Sequence, residues 1–144
     1  MQFNISQEVY DNLIKYGNEF SSQEVCGALV GYASQGSYTC DEFTALTNVS
    51  TEDQGVHYVP DPNEFFNVLF KTKQFNKTNS KDLVGIFHTH PHHLPIPSHT
   101  DINGAGYQGV YLIYSPKHNQ LNGFYYDGNE AAREFIPLQS LEIT

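Results

Sequence analysis

Two histidines one residue apart, His88 and His90, are followed after seven residues by Ser98 and after two more by Asp101. They stand at the end of an apolar run, Leu83-Val84-Gly85-Ile86-Phe87, that reads as a central strand buried on both faces. Side chains alternate faces along a strand, so His88 and His90 point the same way, roughly 6.6 Å apart along the chain. Two imidazoles at that spacing can converge on one ion. Pro91 and Pro95-Ile96-Pro97 stiffen the path that follows, and a stiff loop can return Asp101 to the same ion. Two histidines and one carboxylate leave a fourth tetrahedral position for water, the arrangement of a catalytic rather than a structural zinc site.

Three plainer readings stand beside this one. A His-x-His at a strand end can be a satisfied pair of histidines with no metal. Ser98-His99-Thr100-Asp101 is also an S-x-x-D capping box, which explains Ser98 and Asp101 as helix-start chemistry. The neighbours His92, His93 and His99 could make the segment a loose metal-binding tract. Spacing alone leaves catalysis and these alternatives open. Asp101 is the sharpest conflict, because a carboxylate bound to zinc is not expected to serve fully as a cap, and the metal role is preferred here.

The elements that would position these residues follow from periodicity and caps. Ser6 to Phe20 reads as a helix, with Val9, Tyr10, Leu13 and Ile14 as its apolar stripe. Val25 to Tyr32 is a short apolar strand, and Tyr38 to Val49 reads as its hairpin partner beyond a Ser34-Gln35-Gly36-Ser37 turn. Asp61-Pro62-Asn63-Glu64 opens a second helix with an N-cap, a proline at the first helical position and an acid at the third. Its stripe of Phe65, Phe66, Leu69 and Phe70 is expected in the core. Asn76 to Asp82 is polar and expected to be mobile, and the lysines around it (Lys71, Lys73, Lys77, Lys81) read as a solvated helix end. Val110–Tyr114 and Leu121–Tyr126 are further strands. Residues 129–138 are ambiguous, helical by Glu130-Ala131-Ala132-Arg133 and extended by Phe135-Ile136-Pro137-Leu138. The sum over residues 1–144 is a single α/β domain, a mixed sheet flanked by two or three helices.

Composition narrows the function. The 144 residues suffice for one well-filled core, with ten Phe and ten Tyr. A formal charge of −9 argues against nucleic-acid binding. Two cysteines, Cys26 and Cys40, cannot make a disulfide framework. Cys26, two residues past Glu24, is expected to be a small core residue. The start lacks the features of a signal peptide and no run could span a bilayer, so a cytoplasmic protein is expected and the Asn4, Asn48 and Asn76 sequons are incidental.

The order His88-x-His90, Ser98, Asp101, with Glu24 ahead of Val25-Cys26-Gly27-Ala28-Leu29-Val30-Gly31, resembles the H-x-H-x(7)-S-x(2)-D signature of the JAMM (MPN+) metalloprotease family and its upstream glutamate. The similarity extends over nearly the whole chain, through Asn48, Pro60-Asp61-Pro62, Val110–Ile113 and Phe124–Gly128. One departure is Thr89, where many members carry Ser. The resemblance implies an MPN-like, cytidine-deaminase-like fold with a curved mixed sheet. It implies His88, His90 and Asp101 as Zn²⁺ ligands, Glu24 as general base and then acid, and Ser98 as donor to the developing oxyanion. The short span from Asp101 to Gln120 leaves no room for the insertions by which eukaryotic members grip two ubiquitins. The chain is therefore similar to compact prokaryotic members, which cleave peptide or isopeptide bonds after the C-terminal glycines of ubiquitin-like or sulfur-carrier β-grasp proteins. Three rivals predict other features. An inactive scaffold that binds metal and a protein partner would lack a ligand or Glu24, a zinc deaminase would carry H-x-E and P-C-x-x-C, and a metal-storage loop would bind zinc weakly at several sites. Neither the first two patterns nor such a loss occurs here.

Overall fold

The hydrophobic alternation of this chain builds a sheet first and lets the helices cover it. The computed structural model describes residues 1–79 and 81–144, the side chains of 73–79 excepted. In chain order the elements are β1 (Gln2–Ile5), α1 (Gln7–Glu19), β2 (Cys26–Ser34), β3 (Ser37–Leu46), α2 (Pro62–Asn79), β4 (Asp82–Thr89), α3 (His99–Gly104), β5 (Gly109–Ser115), β6 (Gln120–Tyr126), β7 (Ile136–Pro137) and β8 (Ser140–Ile143). The strands form one mixed sheet in the order β7-β6-β5-β4-β2-β3-β1-β8. β4 lies at its centre, antiparallel to β2 and parallel to β5. Register shifts at Leu29/Val30 and Val30/Gly31 kink β2 against both neighbours, and bulges of this kind curl a sheet.

Each helix begins where a side chain can satisfy its free N–H groups. Ser6 Oγ accepts from Val9 N at 3.2 Å to open α1. Asp61 Oδ1 accepts from Asn63 N at 2.8 Å and Glu64 N at 3.1 Å to open α2. Glu64 does not reach back to close a capping box, and instead accepts from Thr47 N and Oγ1, tying α2 to the end of β3. α1 buries Val9 and Leu13 against Phe3, Leu29, Phe87, Leu112 and Tyr114 on one face of the sheet. Each such fully buried aliphatic contributes roughly 1.5–3 kcal/mol. Phe65, Val68 and Leu69 of α2 join Phe135 over a second core of Ala28, Leu46, Ile86 and Tyr111 on the other face. Gly85 leaves no room for a side chain between β4 and β5, because a Cβ there would collide with the Val110 carbonyl.

Several expectations need correction. Phe66 and Phe70 are exposed and stack on each other, with ring centroids 6.1 Å apart. The covered face of α2 runs through Phe65, Val68 and Leu69 instead, the i, i+3, i+4 stripe that meets the sheet, while Phe66 and Phe70 fall to its solvent side. Glu130–Arg133 forms no helix, and only Ile136–Pro137 of the ambiguous stretch is strand. β1 and β8, which run parallel to each other, carry no signal in the sequence pattern. Their four-residue lengths are too short for an alternation pattern to stand out. Of the stretch expected to be mobile, Asn76–Asn79 is the last turn of α2 and Asp82 opens β4, Ser80 alone lying outside the described residues; the side chains of Lys73 and Lys77 lie outside the description as well. Lys81 is not simply solvated, since it pairs with Glu42 at 2.9 Å and Asp41 at 3.3 Å.

Candidate metal centre

The C-terminal end of β4 carries the histidines to the middle of the molecule. His88 pairs in register with Cys26 of β2 and Ile113 of β5, and His90 N still donates to Tyr114 O at 2.9 Å beyond the strand's end. Both side chains are buried and project from one face. Thr89, between them, points the other way. It accepts from Val25 N through Oγ1 at 2.9 Å and donates its own N–H to Val25 O at 3.0 Å. That two-bond clamp fixes the start of β2, and so fixes Glu24, beside the histidines. Glu24 is held from the far side as well. Its N–H donates to Gln54 O at 2.7 Å, and its carbonyl accepts from Asn48 Nδ2 at 2.9 Å.

Asp101 arrives from α3. Ser98 caps this helix, its Oγ accepting from Asp101 N at 3.0 Å while Asp101 Oδ2 accepts from Ser98 N at 3.0 Å. The same Oδ2 lies 3.0 Å from His90 Nε2 and 3.2 Å from His88 Nε2, and the two Nε2 atoms are 3.2 Å apart. The expected conflict between cap and ligand therefore does not arise, because one oxygen has lone pairs for both. One ligand atom from each of Glu24, His88, His90 and Asp101 lies within 4.8 Å of every other. The proton count makes this cluster informative. His90 Nδ1 lies 2.9 Å from Leu94 O, a carbonyl that can only accept, so Nδ1 carries a proton. In neutral His90 the Nε2 lone pair then faces the Asp101 carboxylate. A positive charge among these atoms relieves that repulsion: a proton on His90 supplies one unit, a divalent cation two.

The family model describing prokaryotic homologs of the JAB domain matches residues 6–126. The chain belongs to this family. Over 120 residues it is 31% identical to a Haloferax volcanii protein named Desampylase, covering 80% of this chain and 81% of that one. Its fold is also that of protein DSY2949 from Desulfitobacterium hafniense, a solution structure matched with a TM-score of 0.79 at 18% identity over 99% of this chain and 93% of that one.

Within this JAB site the electrostatics divide the four groups. Burial pushes the Glu24 carboxyl up to about 8; the nearby His90 offsets part of this, and Asp101 adds to it. Burial lowers His88. Burial also works against charge on His90, but the hydrogen bonds to Asp101 and Leu94 outweigh it and raise this imidazole. For Asp101 burial again opposes ionisation, yet His88, His90 and the Ser98 N–H together hold it well below the usual carboxylate range. Asp101 is thus the fixed anion and Glu24 the group able to exchange a proton near neutrality. Glu24 Oε1 and His88 Nδ1 are buried with no hydrogen-bond partner among the described residues.

The JAB site opens on two sides. A cleft of about 650 Å³ is lined by Glu24, His90 and Ser98 together with Val56, Leu94 and Ile96. Beyond Asp101 and Thr100 lies an apolar cavity of about 430 Å³, walled by Tyr58, Phe65, Tyr107 and Tyr111. Of the extra histidines, His92 and His93 line the cleft, whereas His99 does not. Cys26 is buried beside His88, its thiol pushed up to about 12 mainly by burial, as a core residue should be. Sequence reasoning missed Tyr58, whose ring stacks on His88 at 4.4 Å between centroids. It also missed the work of the 48–60 loop. Asn48 alone bonds the Glu24 and His57 carbonyls and the Ser50 and Val59 N–H groups. The Asn48 match was the signal available for that loop; nothing pointed to Tyr58. Among the described residues, no helix is long and apolar enough to cross a membrane.

Proposed function

We propose that this chain is a zinc-dependent hydrolase that cleaves peptide or isopeptide bonds at the C-terminus of ubiquitin-like or sulfur-carrier β-grasp proteins, acting as one domain over residues 1–144. The observation that carries the reading is the triangle of His88 Nε2, His90 Nε2 and Asp101 Oδ2, with sides of 3.0–3.2 Å. Tetrahedral zinc with bonds of about 2.0–2.1 Å holds its ligands about 3.3 Å apart, so the three atoms match one face of such a site. The Nδ1–H of His90 on Leu94 O is the outer hydrogen bond that orients a metal-binding imidazole. The unpartnered Glu24 Oε1 beside the triangle is where an attacking water would be gripped. The relative named Desampylase supports a ubiquitin-like modifier as the substrate class.

His88, His90 and Asp101 would hold the ion. Bound there, zinc supplies Lewis acidity toward the scissile carbonyl and brings the pKa of a water to about 7. Glu24 takes the proton from the attacking water and returns it to the leaving amine as the C–N bond breaks, two tasks that suit a carboxyl tuned toward neutrality. Ser98 Oγ already accepts from Asp101 N, and its O–H has no acceptor among the described residues. It donates to the carbonyl oxygen as negative charge develops there. A glycine before the scissile bond suits the site, since backbone without a side chain can come close to the buried histidines.

The test is metal analysis with a cleavage assay on a β-grasp protein extended past its Gly-Gly end. One tight zinc per chain, and a loss of about 10²- to 10⁴-fold in kcat for Glu24→Gln with zinc retained, is the expected result. Full activity in that variant, or no zinc bound on purification or addition, overturns the mechanism.

A further inference from the structure

The chain carries a formal charge of −9, yet its cleft has the opposite character. Among the described residues, Glu24 is the only acidic side chain on the cleft lining, and it sits at the reacting centre. The same lining carries Lys117, His92, His93 and His118. They come from two independent segments. His92 and His93 follow His90 across Pro91, while Lys117 and His118 sit in the turn between β5 and β6. That turn is shaped by Asn119 in the left-handed region, at φ 48°. Lys117 is exposed, and no carboxylate among the described residues lies within ion-pairing distance of it. His118 is oriented: Ser115 Oγ, in a fully buried residue, accepts from His118 N at 3.3 Å and lies 2.9 Å from His118 Nδ1. The Ser115 contact occupies Nδ1 and turns Nε2 outward; where the Ser115 O–H is the donor, the imidazole proton sits on Nε2 and can be donated to a ligand.

A cationic ammonium and several N–H donors flanking the reacting atoms, on an otherwise acidic protein, form a receptor for a carboxylate. Deepening the hydrolase reading on which it rests, we propose that Lys117, with His118, His92 and His93, makes this cleft select substrates carrying a carboxylate next to the scissile glycine bond. Lys117 supplies the permanent charge and the imidazoles supply hydrogen bonds, so the selection does not depend on their protonation. The carboxylate can come from an acidic side chain or from the free α-carboxyl of the residue that leaves. Both present the same planar anion to the same donors. The exposed Val56, Leu94 and Ile96 along the cleft add apolar contact for the rest of the tail.

The experiment uses labelled peptides ending Gly-Gly-X and zinc-loaded Glu24→Gln protein, with binding followed by fluorescence polarisation. X is Glu amide, Gln amide, Gln with a free carboxyl, or Lys amide. Binding of the Glu amide, the Gln acid or both at about three- to tenfold higher affinity than the Gln amide is expected, the size of one or two partly exposed charge pairs. The first alone assigns the side chain and the second alone assigns the free end. Adding Lys117→Glu should abolish this order and favour Lys amide, and raised salt should flatten it. Equal affinities across the set, or an order unchanged by Lys117→Glu, overturns the inference. So does a finding that His92→Gln with His93→Gln removes a second zinc equivalent while leaving the order intact, since the histidines are then a metal tract. Cleavage of the Gln amide peptide by the unmutated enzyme is scored separately. Its absence counts against the hydrolase reading, while the binding order still decides the selectivity.

Discussion

Glu24 makes a prediction about folding that can be separated from catalysis. The residue is 4% exposed, one carboxyl oxygen lacks a partner among the described residues, and burial moves its pKa from the ordinary 4.5 to about 8. The sign follows from proton counting. Between pH 4.5 and about 8 the folded, metal-stripped protein keeps a proton on Glu24 that the unfolded chain has lost. Stability therefore falls as pH rises through that window, by up to about 1.4 kcal/mol per pH unit. Over the full interval this gives an upper bound of roughly 5 kcal/mol, and about 2–3 kcal/mol once water reaches the carboxylate and raises the local dielectric. Gln has the same shape and no charge to bury. Chelator-treated Glu24→Gln should match the unmutated protein at pH 5 and exceed its stability by that margin at pH 8, in urea denaturation followed by circular dichroism. Zinc uptake provides the complementary reading. Near pH 7, calorimetry in buffers of different ionisation enthalpy should show about one proton more released by the unmutated protein than by Glu24→Gln. If the two proteins track each other at both pH values and release equal numbers of protons, Glu24 is not the proton-exchanging group of this cluster.

The same geometry yields three further expectations. Asp101→Asn keeps an oxygen for the Ser98 cap but loses the anion facing both histidines; zinc affinity should drop by more than about 100-fold in a competition titration while Tm shifts by only a few degrees. Ser98→Ala should cost about 1 kcal/mol of stability through the lost cap and about 10²- to 10³-fold in kcat through the lost donor, with Ser98→Thr restoring the first and much of the second. Asn48→Ala strands the Glu24 and His57 carbonyls and the Ser50 and Val59 N–H groups. A loss of about 2–4 kcal/mol by thermal denaturation is expected, with faster hydrogen exchange at Ser50 and Val59.

What could be read from the sequence was what local rules determine. Alternation along β4 placed His88 and His90 on one face, and the caps at Ser6 and Asp61 marked two helix starts that the fold keeps. Burial on both faces of β4 was also visible, as an apolar run without alternation. The failures share a cause, in that they depend on partners far away in the chain. β1 and β8 are strands only because each lies beside the other and β1 also lies beside β3. Phe66 and Phe70 look like core residues until the sheet defines which side of α2 is covered. Tyr58 carries no motif, and its place against His88 follows from the loop that Asn48 ties down. Glu24 is intermediate. Nothing within its own segment separates it from a surface acid; the Val25–Thr89 clamp, across 64 positions, and the bonds to Gln54 and Asn48 turn it into a neighbour of the histidines.

The Ser98–Asp101 pair shows why assigning a short motif to structure need not withdraw it from chemistry. A capping box requires the third helical residue to reach back toward the first free N–H, which sets Asp101 Oδ2 at 3.0 Å from Ser98 N. That reach also turns the oxygen toward the end of β4, where His88 and His90 are waiting. An uncapped aspartate on a six-residue helix would have several rotamers, and fixing one of them would cost entropy at each binding event. The backbone N–H prepays nothing in charge but does favour the anionic carboxylate, in line with the low pKa of Asp101. Ser98 is constrained by the same exchange, since accepting from Asp101 N leaves its hydroxyl proton uncommitted on a residue that lines the cleft. The four-residue pattern is thus one device with two outputs, an oxygen aimed at the histidines and a hydroxyl aimed at the cleft. Its helix-forming chemistry is the means by which both are aimed.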